Sequence, residues 1–301
     1  MSGRALLEMA KDVVYAPIVG ESLVDLTAKR LITIIALGLV EVGEHLPSEN
    51  DLAERLGVSG ATLREALASL RGAGLLATRR GRGGGTVVVR DVIPPAPEEA
   101  RRRLAARSFD ELRDLGDYRG AIARRAAELA ADRATPSEIE LLHALVGGMA
   151  DSDSLATYRR LDAQLHIGIA GAARSSWLTA GETTVQSELS EFLSLVTSPD
   201  ARLRLANDQH RQILEAIRER DRRSAGEAAE VHGQSMMTML IEIRSELAHA
   251  EAERTAEHFA GLRPFGSELG ALPLELSFDP LGPRRARGED LPAPERAPRR
   301  R

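Results

Sequence analysis

Residues 43–89 read GEHLPSENDLAERLGVSGATLREALASLRGAGLLATRRGRGGGTVVV. Pro47 and Ser48 precede a short periodic stretch, Leu52, Ala53 and Leu56, that Gly57 stops. Ser48 is placed to cap this helix, with Asp51 three residues on to support its first turn. Ser59 opens a second helix whose apolar side is Leu63, Ala66, Leu67 and Leu70, leaving Ala61, Thr62, Arg64, Glu65 and Ser69 for the other face. Only a few residues around Gly57 join the two, as expected of a helix-turn-helix. Beyond them, Leu75–Arg79 and Thr86–Val89 flank a glycine-rich turn, which predicts a β-hairpin with Arg79, Arg80 and Arg82 at its tip. Upstream, Leu23, Leu26, Leu31, Ile34 and Ile35 recur near a 3.6-residue period between Ser22 and Gly38, predicting one more helix.

A helix-turn-helix followed by a basic hairpin has the order of a winged helix, whose second helix enters the major groove while the wing reaches the backbone or minor groove. Charge agrees with that reading. Residues 55–90 hold seven arginines and one acid, a local +6 on a chain whose formal net charge is −5. Such a concentration is the electrostatic footprint of a polyanion-binding patch. The glycine-rich turn is not a phosphate-cradling loop, since no Lys-Ser/Thr follows it and no helix pattern begins there.

The rest of the 301-residue composition bounds the chemistry. With no cysteine, there is no disulfide, thiolate zinc finger, iron–sulfur cluster or cysteine nucleophile, so a metal site must use His, Asp or Glu. The longest apolar run, residues 31–40, is about half of the ~20 residues a membrane-spanning helix needs, and residues 1–11 lack a signal peptide's apolar centre. A cytoplasmic protein with no membrane partner is expected.

From residue 91 to 108 the sequence turns to Pro94, Pro95, Pro97 and an arginine cluster, which is linker composition. Helical patterns then run through 110–132, 137–150, 154–172, 176–196, 201–220 and 221–247, separated by turn and cap signals such as Thr135-Pro136 and Ser198-Pro199. The expected fold is therefore mostly α: an N-terminal winged helix-turn-helix over 15–90, a linker over 91–108 and an antiparallel all-α helical bundle over 109–250. Residues 261–301, rich in Pro, Gly and Arg, are expected to be a disordered tail.

Residues 43–89 resemble, without a gap, the winged-helix domain of the GntR family of bacterial transcriptional regulators. LPSE, LAERLGVS, TLREAL and GLL…RGRG stand in family order and spacing. The resemblance implies that Arg64 reads guanine, that Ser59 and Thr62 contact phosphate or base edges, and that Arg80, Gly81 and Arg82 make groove and phosphate contacts, with Arg79 beside them. Asn50 and Gly60 depart from the pattern, because the family commonly has arginine at both places.

In the bundle, Asp162 and His166 lie four residues apart and project from one helix face. His210 opens the apolar pattern Ile213, Leu214, Ile217, and His232 precedes Met236 and Met239 on the last long helix. Facing helices can gather such ligands in a bundle core, and imidazole with carboxylate suits zinc, nickel or a similar divalent ion. Buried, hydrogen-bonded core histidines are the alternative that spacing leaves open. Residues 109–247 also resemble the FadR-type branch of the family, with its helical FCD effector-binding domain, in LR…YR…AA.LAA, LD..LH and HR.ILEAI. That resemblance implies a metal held by Asp162, His166, His210 and His232, zinc first and nickel second. It also implies a small organic acid effector that meets the metal and Arg119, a homodimer, and a double-stranded DNA operator with twofold symmetry. Leu165, Ala123 and the Arg174-Ser175 neighbourhood depart from the branch's pattern. A metal-dependent hydrolase or lyase built on the same cluster is the competing class, with Glu188 and Glu191 as candidate bases.

Overall fold

A computed structural model describes residues 22–81, 84–92, 95–195 and 199–261. Arg82, residues 15–21 of the expected first domain and residues 262–301 of the expected tail lie outside that set.

Helix α1, Leu23–Ala36, starts at Ser22, whose hydroxyl accepts the Asp25 N–H. Helix α2, Glu49–Leu56, starts at Ser48, which caps Asp51 in the same way, and ends at Gly57 with φ +65°. A left-handed residue at that position satisfies the last carbonyls and turns the chain sharply, and glycine adopts it without steric cost. Helix α3, Gly60–Gly72, follows from Ser59. Leu63, Leu67 and Leu70, at i, i+4 and i+7, bury one face of α3 against Leu31, Ile35 and Leu52. Strands β1, Leu76–Arg79, and β2, Gly85–Val88, form the antiparallel hairpin with Leu76 opposite Val88 and Arg79 opposite Gly85. The Leu46 N–H donates to the Thr86 carbonyl and His45 bridges Val87, so the chain before α2 pins the hairpin to the small core.

The linker expectation is altered by a helix, α4, Pro97–Ala106. The composition reads as a linker, but Pro97 stands in the first helical turn, where its missing N–H costs nothing. Ala100 and Leu104 are buried with Leu112, Val185, Leu189, Phe192 and Leu240, so tertiary packing stabilises a segment of weak periodicity.

Six longer helices follow. They are α5 (Phe109–Arg133), α6 (Pro136–Ala150), α7 (Leu155–Ala172), α8 (Ser176–Ser190), α9 (Pro199–Arg218) and α10 (Arg222–Gly261). Ser108 and Thr135 start α5 and α6 with reciprocal capping boxes through Glu111 and Glu138. Helix α8 ends before the predicted 196, giving way to a 3-10 turn at Leu193–Leu195, and α10 runs beyond the predicted 247. The main core gathers Leu129, Leu142, Val146, Leu165, Ile169, Ile213, Leu214 and Ile217 from α5, α6, α7 and α9. Among the described residues, no helix is long and apolar enough to cross a membrane.

Candidate metal centre and nucleic-acid interface

The α3 N-terminus is an exposed surface. Ser59 caps it by accepting the Thr62 N–H at 3.1 Å, and the two hydroxyls lie 2.8 Å apart. Arg64 stands one turn on, exposed, and Arg79 and Arg80 are exposed at the end of β1, beside Gly81 at φ +102°. A helix N-terminus carries partial positive charge and free N–H groups, which with neighbouring guanidinium groups suits phosphate. Arg82 cannot be placed among the described residues.

The three histidine candidates lie on the buried stripes of their helices, and Asp162 is half-buried beside them. His166 shares the inner face of α7 with Tyr158, Leu165 and Ile169. His210 precedes Ile213 and Leu214 on α9, and His232 continues the α10 row of Ala225 and Ala229 toward Met239. Packing the three helices brings one ligand atom from each of Asp162, His166, His210 and His232 within 4.8 Å of all the others. The His232 Nε2 lies 3.1 Å from His210 Nε2 and 3.2 Å from His166 Nε2, and Asp162 Oδ1 lies 3.3 Å from His210 Nε2 and 3.8 Å from His166 Nε2.

Burial pushes the basicity of His166 and His232 well below the ordinary histidine range and lowers that of His210. Arg119 adds to this at all three and neighbouring rings add at His166 and His232, whereas Asp162 opposes it at His210 and His232. Neutral imidazoles are the metal-binding form. The His232 Nδ1 is 3.0 Å from Gln209 Oε1, so its N–H points there and its Nε2 lone pair faces the two other Nε2 atoms. Nitrogens bound to one tetrahedral zinc at 2.0–2.1 Å lie about 3.3 Å apart, close to the spacings observed. His210, fully buried, has no hydrogen-bond partner at Nδ1 among the described residues. This donor set is compatible with a divalent metal.

A cavity of about 980 Å³ adjoins the cluster, lined there by Asp162, His232, Gln209, Gln186, Tyr158 and Arg119. Arg119, on α5, is only 3% exposed, and its Nε and Nη1 have no hydrogen-bond partner among the described residues. Its stem packs on Gly233, the residue after His232: a Cβ there would stand 3.3 Å from Arg119 Nε. The sequence reading missed Glu182, a buried carboxyl on α8 that accepts from Gln186 Nε2 at 2.8 Å. Burial raises its pKa, against the opposing pull of Arg119. A signal did exist, because Glu182 interrupts the apolar row Leu178, Val185, Leu189 at a core-facing position. Tyr158, also missed, donates to Asn207 Oδ1 at 3.0 Å, and burial pulls neighbouring Arg159 down to about 10.

Glu188 and Glu191, the candidate bases, are not free at the cluster. Glu188 accepts from Arg107 at 2.7 Å and Glu191 is 3.2 Å from Arg103.

Two stretches of the chain match known families. Residues 23–88 match the bacterial regulatory proteins of the gntR family, and residues 114–235 match the FCD domain. The HTH-type transcriptional regulator RmpR of Mycobacterium gastri is 41% identical over 54% of this chain and 60% of its own length. The chain thus spans less than two thirds of that relative. An L-lactate dehydrogenase operon regulatory protein of Escherichia coli is 30% identical over 69% of this chain and 82% of its own. Among solved structures, McbR/YncC of Escherichia coli aligns with a TM-score of 0.44 at 18% identity over 74% of this chain and 99% of that one.

Proposed function

The chain belongs to the gntR family of bacterial regulatory proteins, as a transcriptional regulator with an FCD domain, and from that premise we propose that a carboxylate effector in the helical domain sets its grip on operator DNA. The observation that carries the reading is the convergence of Asp162, His166, His210 and His232 beside a cavity into which the buried Arg119 brings two unpaired nitrogens. A bound divalent ion, zinc by its preference for imidazole and carboxylate, would supply a Lewis-acidic position for a carboxylate. Arg119 supplies the charge-assisted hydrogen bonds for the same group, at a place where water is largely excluded. The name of the lactate-operon relative favours a small organic acid.

On the DNA side, the exposed α3 N-terminus lies in the major groove. Arg64 reads a base edge, Ser59 and Thr62 fix the helix end on the backbone, and Arg79, Arg80, Gly81 and Arg82 follow the adjacent groove. A homodimer in the cytoplasm matches a twofold operator. The effector changes operator affinity only as far as it binds the DNA-competent and incompetent arrangements differently, typically about 1–3 kcal/mol. The hydrolase or lyase alternative has weaker support, since both candidate bases are held in ion pairs with arginines.

The test is selection of bound duplexes from a random pool by the zinc-loaded protein, with and without L-lactate. A recovered palindromic site whose occupancy changes with the acid supports the reading. Enrichment no greater than for heparin-competed background sinks it.

A further inference from the structure

The cavity beside the histidines is larger than a small acid requires, and its walls are not confined to the helical domain. At about 980 Å³ it lies near the top of the range of roughly 300–1,000 Å³ for pockets that hold drug-sized ligands. Along α10 its lining runs from His232 through Met236 and Met239 to Glu242. At 1.5 Å per residue that is about 15 Å of helix face. The lining also includes Ile32, Thr33 and Ala36 of α1, which belongs to the winged helix-turn-helix.

The lining combines buried polar groups with apolar side chains. The deep end holds Asp162, His232, Gln186 and Arg119. Met236, Met239, Leu203 and the α1 side chains Ile32 and Ala36 add apolar lining. The more exposed charges of the lining are paired with one another: Arg103 with Glu191 at 3.2 Å, Arg160 with Asp91 at 3.0 Å, and Arg202 with Glu242 at 3.9 Å. Lys29 and Arg159, the other cations in the lining, also have partners. Among the described cations of the lining, Arg119 has two buried nitrogens, Nε and Nη1, without a hydrogen-bond partner, so the chamber offers an anion-binding subsite beside an apolar body.

The placement of α1 in this wall is built. Helix α7, which carries Asp162 and His166, donates from Gln164 Nε2 to the Gly38 carbonyl at 2.6 Å just beyond α1, and Thr33 Oγ1 lies 3.5 Å from Ser187 Oγ on α8.

We propose that the ligand chamber is shared between the two domains and takes a monocarboxylate with an extended apolar body, its acid group at Arg119 and its body against Ile32 and Ala36 of the DNA-binding region. This rests on the carboxylate-effector reading and names the class of acid that the same site takes. The ligand then touches the DNA-binding region directly, and methionines suit a chamber wall that adapts to an apolar body.

The experiment titrates the full-length, zinc-loaded protein calorimetrically with straight-chain alkanoates from acetate to decanoate, and repeats the series on Ala36→Trp and Ile32→Asp. Affinity should rise roughly two- to fourfold per added methylene until the chamber is filled. In the α1 variants, with zinc content checked as a measure of folding, the dependence on length should flatten. Equal affinity for acetate and decanoate in the wild-type protein would overturn the proposal while leaving the carboxylate reading intact, and so would a length series unaltered in both α1 variants. Failure of every acid, L-lactate included, to bind zinc-loaded protein overturns both.

Discussion

Gln164 reaches from helix α7, which carries Asp162 and His166, to the carbonyl of Gly38, 2.6 Å away, and Gly38 sits in the left-handed region at φ +65° just past α1. Asp162 and His166 face the cluster, and Gln164, two residues from each, points the other way, together with Arg160, which holds Asp91. A side chain at position 38 would push the Gln164 amide aside: its Cβ would stand 2.9 Å from Gln164 Nε2 and 3.2 Å from Arg160 Cδ. Gly38→Ala should therefore lose about 1–2 kcal/mol from backbone strain alone, and more from the contact. Chemical denaturation of the purified variant measures this, and an unchanged midpoint would contradict the docking of α1 on α7.

Gln164→Ala is a milder change with a different readout. It removes a hydrogen bond worth about 0.5–1.5 kcal/mol and leaves the metal ligands in place. Zinc content should stay at the wild-type level, while the ratio of operator affinities with and without effector falls several-fold. If that ratio is preserved, this contact does not carry the coupling.

Metal analysis should find about one equivalent of zinc per protomer, lost on His210→Ala or His232→Ala. Gln209→Ala is the sharper probe, because it leaves all four ligands and frees only the His232 ring. A lost outer partner of this kind costs about 10–100-fold in metal affinity. Competition with a chromophoric chelator would reveal it, and equal affinities would show that Gln209 does not orient the ring.

Glu182 gives a pH signature. Burial raises its pKa above the ordinary 4.5, so the folded protein holds this proton more tightly than the unfolded chain. Its contribution to stability is complete below about pH 4.5 and is lost as pH rises through the raised folded value. Glu182→Gln has no proton to lose, so its stability relative to wild type should improve as pH climbs from 4.5 toward neutrality. Parallel urea-denaturation curves for the two proteins across that range would refute the assignment.

At the DNA surface, Arg64→Ala should cost about 1–3 kcal/mol and relax preference at one base position. Arg80→Ala should weaken all duplexes alike and reduce the salt slope by about 1. Identical sequence enrichment by wild type and Arg64→Ala would move the reading helix elsewhere.

What one strand of sequence can specify by itself is local. Ser22, Ser48, Ser59, Ser108 and Thr135 start helices because a side-chain oxygen meets an N–H three residues on, and Gly57 stops one because it lacks a Cβ. The winged helix, the bundle and the i, i+4 pair Asp162 and His166 were legible for that reason. Helix α4 was not, since Pro97 and its arginines mask two buried residues, Ala100 and Leu104, that are stabilised by contacts from distant helices. Glu182 was passed over because its partners, Gln186 aside, come from elsewhere in the chain. Composition and periodicity determined which residues lie on which face of which helix. Only tertiary packing decided that three imidazoles from α7, α9 and α10 converge, that Nε and Nη1 of the buried Arg119 have no hydrogen-bond partner among the described residues, and that α1 lines the cavity beside them. Those relations depend on how helices cross, and crossing geometry is set by the summed shape of side chains far apart in sequence.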